Sequence, residues 1–169
     1  SVWYSAAASP IKPELASVFF TKQNNTFVFA ATDAFRLAEK KIPITGTPEF
    51  PSLLIPQKNV SDIVRIFEED EGDLSIAASR TQLSIEKDET YFTSRVIEGA
   101  FPEYGQLIPK KFVAEAVALK QDVVNALKVS SLFSEKFNMV RIRIHPQEKH
   151  YSFEVKNSDI GENTEQVSA

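Results

Sequence analysis

The chain of 169 residues contains no cysteine and only five glycines. Without cysteine it has neither disulfides nor thiolate metal ligands, and the sparse glycine includes no glycine-rich phosphate loop. No apolar run approaches the roughly 20 residues that a membrane-spanning helix needs. The amino terminus, Ser1 to Tyr4, lacks an initiator methionine and the basic segment of a signal peptide. We therefore expect a fragment or processed form of a cytoplasmic protein that does not contact a membrane.

Apolar residues make up 43% of the chain and include 13 phenylalanines, so the composition predicts a bulky packed core. Charged residues are 25%, which is typical of a folded protein. The net charge of −4 argues against a protein that coats nucleic acid with its whole surface. A local basic face on an acidic body stays compatible with this charge.

Candidates for catalysis are few. His145 and His150 flank a predicted hairpin turn, and no Asp or Glu spacing near them indicates convergent partners, so we interpret both as structural. The acidic run from Glu68 to Glu71 is interpreted as a solvated loop at a helix end. The sequence therefore predicts no catalytic residue, no metal site and no cofactor.

Alternating apolar residues predict several strands. Two of them, 18–21 and 27–30, flank Asn24-Asn25, a pair that tolerates the left-handed backbone of a tight hairpin. Helical spacing of Val60, Ile63, Val64 and Phe67 predicts a helix over 59–69. Further strands are predicted at 35–40, 53–55, 74–77, 83–86 and 91–97.

Part of this pattern repeats. Residues 55–65 match 118–128 without a gap, and strands 73–79 and 82–88 match 140–145 and 151–157. Each copy is predicted as a strand, a helix and a meander of strands, and such copies pack side by side. After Val155 the chain is polar and turn-like, and we expect no equivalent of strand 91–97 to follow. The prediction is an α+β chain with one domain over 1–110 and the first half of another over 111–169.

Two segments carry a family resemblance. They are Ala31-Thr32-Asp33-Ala34-Phe35-Arg36-Leu37-Ala38 and Gly99-Ala100-Phe101-Pro102-Glu103-Tyr104, each directly after a predicted strand. With Leu54-Ile55-Pro56, residues 92–99 and Ser134-Glu135-Lys136-Phe137, they resemble the bacterial DNA polymerase III beta subunit, the DNA sliding clamp. The resemblance runs from its middle domain into its third. It implies the DNA-clamp fold: antiparallel sheets with helices on one face, built from repeated βαβββ units.

The resemblance implies a pocket that accepts linear peptides rich in Leu and Phe. Carried over by position, its residues here would be Thr32, Ala34, Phe35, Arg36, Leu37, Pro102 and Leu107. The family commonly has Gly and then His where Ala34 and Phe35 stand, so the preferred peptide could differ. A simpler interpretation is that Asp33 caps a turn, Arg36 pairs with a surface carboxylate and Pro102 stiffens a loop.

The resemblance also implies a face toward duplex DNA, formed by helices that contact phosphates without reading bases. The candidate cations are Lys12, Lys58, Arg65, Lys120 and Lys128. The repeat matches Lys58 with Gln121 and Arg65 with Lys128, and Lys120 is adjacent to Gln121. Asp62 lies between two of them, and lysines on a wet helix face often serve solvation alone.

The function implied is that of a non-catalytic processivity factor. Such a protein encircles duplex DNA as a homodimeric ring and tethers polymerase and clamp-loader subunits through their linear peptide motifs. The alternative is a stand-alone, non-catalytic peptide-binding adaptor of βα repeats with no role on DNA. A hydrolase that uses the acidic run is a third reading, but the sequence offers it no activated nucleophile.

Overall fold

A computed structural model describes residues 1–46, 49–69, 72–134 and 139–168. Within these ranges the chain forms ten β-strands and two α-helices. They divide into two compact units, residues 1–103 and 104–169. No helix in the described ranges is long and apolar enough to cross a membrane.

The first unit begins with an antiparallel sheet of four strands: β1 (Ser17–Gln23), β2 (Thr26–Thr32), β3 (Leu37–Pro43) and β4 (Leu53–Pro56). Their order in the sheet is β3-β2-β1-β4. Asn24, at φ 51°, forms the tight turn between β1 and β2, which confirms the predicted hairpin. The strand predicted at Phe35 begins two residues later, because residues 33–36 form a turn instead.

Helix α1 spans Gln57–Phe67, two residues earlier than predicted. It begins directly after Pro56, and its last residue, Phe67, is buried. A second antiparallel sheet follows, formed by β5 (Ser75–Ala78), β6 (Gln82–Lys87) and β7 (Thr90–Arg95). Their order in the sheet is β5-β6-β7.

The main core of the first unit joins the helix to both sheets. Phe20, Leu53 and Ile55 of the first sheet are buried together with Phe67, Leu83 and Ile85, and Val60 and Ile63 of the helix pack against them. These helix residues recur every three or four positions, so α1 presents one apolar stripe to the core. The acidic run after the helix is described only at Glu68 and Glu69, and the rest of it lies outside the described residues.

The second unit contains a helix and two following strands, as the repeat predicted, and a third strand that was not predicted. It contains α2 (Lys120–Leu132), β8 (Arg141–His145), β9 (His150–Asn157) and β10 (Gly161–Ser168), in the sheet order β10-β9-β8. Ala126 of the helix packs with Phe153 and Val167 of the sheet. Of the family-like segment 134–137, only Ser134 lies within the described residues.

The prediction that no strand follows Asn157 was wrong. Strand β10 pairs with β9 over eight residues, from Gly161 opposite Asn157 to Ser168 opposite His150. Val167 is its one buried side chain. The segment therefore has almost no apolar alternation, and its sequence alone predicts a loop. Backbone pairing along an already formed strand supports β10 instead.

The strand predicted before the second helix is also absent. Residues 107–119, all described, form no strand, although residues 118–119 match Ile55 and Pro56 of β4 in the repeat. Phe112, Val113, Val117 and Leu119 are exposed. A strand needs a partner for its backbone groups, and the sheet of this unit contains only β8, β9 and β10 among the described residues. The sequence similarity therefore extended further than the shared structure.

Candidate functional site

The centre of the predicted pocket is the four-residue turn 33–36, between β2 and β3. Thr32 and Leu37 form the last pair of the β2–β3 ladder, so the turn closes a hairpin. The Thr32 hydroxyl donates to the carbonyl oxygen of Arg36 at 2.7 Å and accepts from the amide of Ala34 at 3.1 Å. Thr32 is buried, and its hydroxyl is therefore committed to holding the turn.

Asp33 fixes the other side of the turn. Its Oδ1 accepts the amides of Phe35 and Arg36, both at 3.0 Å, and its Oδ2 lies 3.2 Å from Nε of Arg36. The backbone amides of Arg36 and Phe35 donate to the carboxylate and have the largest effect in holding the pKa of Asp33 below its ordinary value of 3.8. The guanidinium charge of Arg36 lowers this pKa further by a smaller amount. The stability that the ionised Asp33 carboxylate gives the turn is therefore present above pH 3.8 and is lost as the pH falls through the lowered pKa of Asp33. The simpler interpretation of Asp33 and Arg36 matches these contacts.

Strand register places Thr32 and Leu37 of the predicted pocket on the same face of the first sheet as Phe19. Directly paired residues share a face, so Thr32 and Leu37 lie together, and Phe19 lies with its partners Ala30 and Leu54. Ala30 and Thr32 are two apart on β2, so all of these side chains occupy the same face.

The segment that leads to Pro102 is attached to this same face. The ring of Phe101 stacks on Phe19, with centroids 5.0 Å apart and planes 5° apart. Upstream, the amide of Ile97 donates to the carbonyl of Leu54 at 2.8 Å, and Gly99 lies close to the Leu54 side chain. The chain from 97 to 102 is thereby anchored on the face that carries Thr32 and Leu37.

No sequence pattern indicated the Phe19–Phe101 stack. These rings also line a cavity of about 430 Å³, bounded by residues 51–54, 96–99 and Arg80. None of the predicted pocket residues is among the described residues that line it. The only available signal was that Phe101 precedes Pro102, and this does not identify Phe19 as its partner.

Ala34 and Phe35 form the exposed tip of the turn. Ala34 adopts φ 76°, in the left-handed region that favours glycine. Phe35 is 98% exposed, so its ring contributes nothing to the core. Of the two residues that depart from the common family pattern, Ala34 is thus strained and Phe35 is an almost fully accessible aromatic residue.

We expect Ala34→Gly to stabilise the first unit by about 0.5–1 kcal/mol, because it removes the steric strain of a side chain at positive φ and only part of that gain is offset by greater freedom of the unfolded chain. The measurement is urea unfolding of the two proteins. The matched control is Ala38→Gly, in the regular part of β3, where glycine should destabilise by a similar amount. A loss of stability in both variants would contradict the interpretation of strain at Ala34.

The cations predicted to face DNA in the first unit are all exposed. Lys58 and Arg65 lie on α1, and Lys12 lies in the segment before β1. Arg65 donates to Oδ1 of Asp62 at 2.8 Å, so part of its charge is compensated within the helix. Lys58 is the cation of this helix that projects from its first turn.

The remaining predicted residues belong to the second unit. Lys120 and Lys128 are exposed on α2, eight residues apart, while Ala126 between them is buried against the sheet. Leu107 follows a short 3-10 turn, Tyr104–Gln106, and is exposed. Both lysines are thus accessible on α2, and Lys128 occupies the position that the repeat matches with Arg65.

Comparison with known proteins gives a consistent set of relatives. A beta sliding clamp of Synechococcus elongatus is 28% identical over 172 aligned residues, which cover 98% of this chain and 46% of that protein. A beta sliding clamp of Staphylococcus epidermidis is 24% identical over 98% of this chain and 44% of its own length. The chain therefore spans less than half the length of these relatives.

Solved structures show the same fold. The sliding clamp of Bacillus subtilis matches 99% of this chain and 45% of that chain with a TM-score of 0.90 at 23% identity. A Pseudomonas aeruginosa clamp bound to griselimycin matches with a TM-score of 0.88 at 21% identity, over 98% of this chain and 45% of that one. These likenesses confirm the predicted α+β clamp fold.

A family model assigns the first unit directly. The model described as the central domain of the DNA polymerase III beta subunit matches residues 1–103. This match covers more than half of the chain, and it contains both the turn 33–36 and the anchored segment 97–102. The chain therefore belongs to the family of the DNA polymerase III beta subunit.

Proposed function

We propose that this chain is part of a DNA sliding clamp, a non-catalytic, cytoplasmic processivity factor. In this proposal residues 1–110 form the middle domain and residues 111–169 the first half of the third domain. The observation that carries the proposal is the family match over 1–103 together with a clamp fold across 99% of the chain. The whole protein would form a homodimeric ring around duplex DNA and act by enclosing it, so tight or sequence-specific contacts are not needed.

The partners proposed for the first unit are linear peptide motifs of polymerase and clamp-loader subunits. Leu37 is half-buried and Pro102 is exposed, and both lie on segments anchored to one face of the first sheet. An apolar anchor side chain could rest there, while the exposed ring of Phe35 borders it. The bound griselimycin in the Pseudomonas aeruginosa clamp supports the idea that a protein of this fold accepts a ligand. Leu107, in the second unit, keeps its role as a prediction from the resemblance.

The hydrogen bonds of the turn refine the proposed roles. Thr32 and Asp33 use their polar atoms within the turn, so they would position the site and not bind the peptide themselves. Arg36 lies on the exposed side of its ion pair with Asp33 and keeps further N–H groups that could donate to a peptide carbonyl. Leu37, Phe35 and Pro102 would supply the apolar contacts.

A peptide titration tests this proposal. A Leu- and Phe-rich clamp-binding peptide is added to the isotope-labelled chain, and amide shifts are followed. We expect shifts around Leu37 and Phe101 and an affinity between roughly millimolar and tens of micromolar, because the contacts are few. Shifts confined to Lys58 and Arg65, with none near Leu37, would contradict the assignment of the pocket.

The DNA-facing role predicts weak duplex binding that depends strongly on salt. Removing one cation that neutralises a phosphate should lower the slope of log affinity against log salt by about 0.9. We therefore expect Lys120→Ala combined with Lys128→Ala to reduce the slope by about two, measured by fluorescence anisotropy. The control pair is Lys110→Ala with Lys111→Ala, which removes the same charge from a segment before α2 and should change the slope little.

This measurement also separates the two candidate functions. A stand-alone peptide-binding adaptor should bind the peptide but show no salt-dependent affinity for duplex DNA. Tight binding to one DNA sequence that persists at high salt would contradict both candidates. The family match favours the clamp, because it assigns the proposed peptide-binding segments to a domain of a known replication protein.

A further inference from the structure

A cluster of metal-binding side chains lies in the second unit, at the tip of the β8–β9 hairpin. His145 and His150 form the last cross-strand pair of this hairpin. One ligand atom from each histidine and one from Glu148 all lie within 4.8 Å of one another. Residue spacing indicated no acidic partner for these histidines, and the structure corrects that prediction.

The turn itself brings Glu148 to the histidines. The amide of Glu148 donates to the carbonyl of His145 at 3.2 Å, and Lys149 adopts a left-handed φ of 53°. The chain thus folds back on itself, and a carboxylate oxygen of Glu148 lies 3.5 Å from Nδ1 of His150. Glu148 is part of the turn itself, so the direction of its side chain depends on the backbone conformation of the turn. Residue spacing alone did not indicate this contact.

The two imidazole rings are stacked on one another. Their centroids are 4.5 Å apart and their planes differ by 21°. A ring nitrogen of His145, Nε2, lies 3.1 Å from the hydroxyl of Ser152, which is buried. The His150 side chain is only 17% exposed, whereas Glu148 is 69% exposed. Two ligands are therefore largely fixed, and the third is free to adjust from the solvent side.

We propose that His145, His150 and Glu148 bind a divalent transition-metal ion of the zinc class. Imidazole nitrogens and a carboxylate suit zinc, nickel or copper better than magnesium or calcium. Ligand atoms of a tetrahedral zinc site lie roughly 3.3 Å apart, since zinc–nitrogen bonds are about 2.0–2.1 Å. The separation of 3.5 Å between Glu148 and His150 is close to this value. Since all three ligand atoms lie within 4.8 Å of one another, side-chain rotations that shorten the longer separations would complete a three-ligand site with water in the remaining position.

Bound metal would fix the tip of the hairpin. It would join residues on β8, on the turn and on β9, and so hold the loop 146–149 against the sheet edge. The simpler explanation is that Glu148 pairs with His150 and Ser152 bonds His145 only to stabilise the turn. Metal binding distinguishes the two, because only a genuine site yields saturable, residue-specific affinity.

The test uses the untagged chain and zinc chloride, followed by calorimetry and by the NMR signals of the imidazole rings. The chain has only two histidines and no cysteine, so any ring perturbation reports on this cluster. We expect one saturable site, no comparable binding of magnesium, and a loss of affinity of at least about tenfold in His150→Ala and in Glu148→Gln. Circular dichroism establishes that each variant keeps its fold.

The matched control is Glu162→Gln. It makes the same chemical change on β10, where Glu162 pairs with Lys156 of β9. Lys156 is six residues along β9 from His150, so Glu162 lies roughly 20 Å from the proposed site. This variant should bind zinc like the unchanged protein. The proposal is overturned if zinc fails to saturate one site, or if Glu148→Gln and His150→Ala bind it as tightly as Glu162→Gln does.

Discussion

Replacing Phe20 by alanine is expected to lower the free energy of unfolding of the first unit by about 3–5 kcal/mol. Phe20 is 2% exposed and lies at the centre of an aromatic cluster. Its ring stacks on that of Phe29, with the centroids 4.3 Å apart. The centroids of Phe50 and Phe27 lie 4.6 Å and 5.1 Å from that of Phe20. Truncation removes buried apolar area and leaves a cavity that three large rings cannot all fill.

The same substitution at Phe35 provides a matched control. Its ring is 98% exposed, so Phe35→Ala should change the free energy of unfolding by no more than about 0.5 kcal/mol. Both variants are compared with the unchanged protein by urea unfolding. Equal losses at the two positions would mean that the aromatic cluster around Phe20 does not carry the stability of this unit.

The parts of the fold that were predictable from the sequence are those with strong local patterns. Asn24-Asn25 between two apolar strands predicted the β1–β2 hairpin, and the apolar spacing from Val60 to Phe67 predicted α1. Comparing 55–65 with 118–128 predicted α2. In each case the residues that determine the element are close neighbours in sequence.

The failures have a common physical cause. Strand β10 is supported by pairing with β9, and its own side chains carry little apolar pattern. Residues 112–119 carry apolar side chains but have no partner strand among the described residues of their unit. Strand formation depends on a neighbour as well as on composition, so the local pattern missed the first segment and the repeat falsely predicted a strand in the second.

The candidate site shows the same division. The hydrogen bonds that Asp33 accepts from the amides of Phe35 and Arg36 are local, and a turn of this kind was among the interpretations of the sequence. The Phe19–Phe101 stack joins residues 82 positions apart, and no local pattern encodes it. At the hairpin tip, Glu148 lies beside His150 in a turn where Lys149 is left-handed, a conformation that its residue type does not predict.

Leu37→Asp is expected to abolish binding of a Leu- and Phe-rich peptide. Leu37 opens β3 opposite Thr32 and is half-buried on the face to which the segment ending at Pro102 is anchored. A carboxylate there would have to give up its water beneath an apolar anchor side chain without gaining a cation. A cost of about 2–3 kcal/mol corresponds to a loss of roughly 100-fold, which moves a weak affinity beyond detection in the amide-shift titration.

Two variants show whether this loss arises at the pocket. Leu37→Met keeps an apolar side chain of similar volume and should retain binding within about threefold. Lys58→Ala removes a cation from α1, outside the proposed pocket, and should leave peptide affinity unchanged. Since an aspartate at the start of β3 could also weaken the hairpin, the amide spectrum of Leu37→Asp must first show an intact first sheet. Peptide binding that survives in such a folded Leu37→Asp protein would place the apolar anchor site elsewhere on the chain.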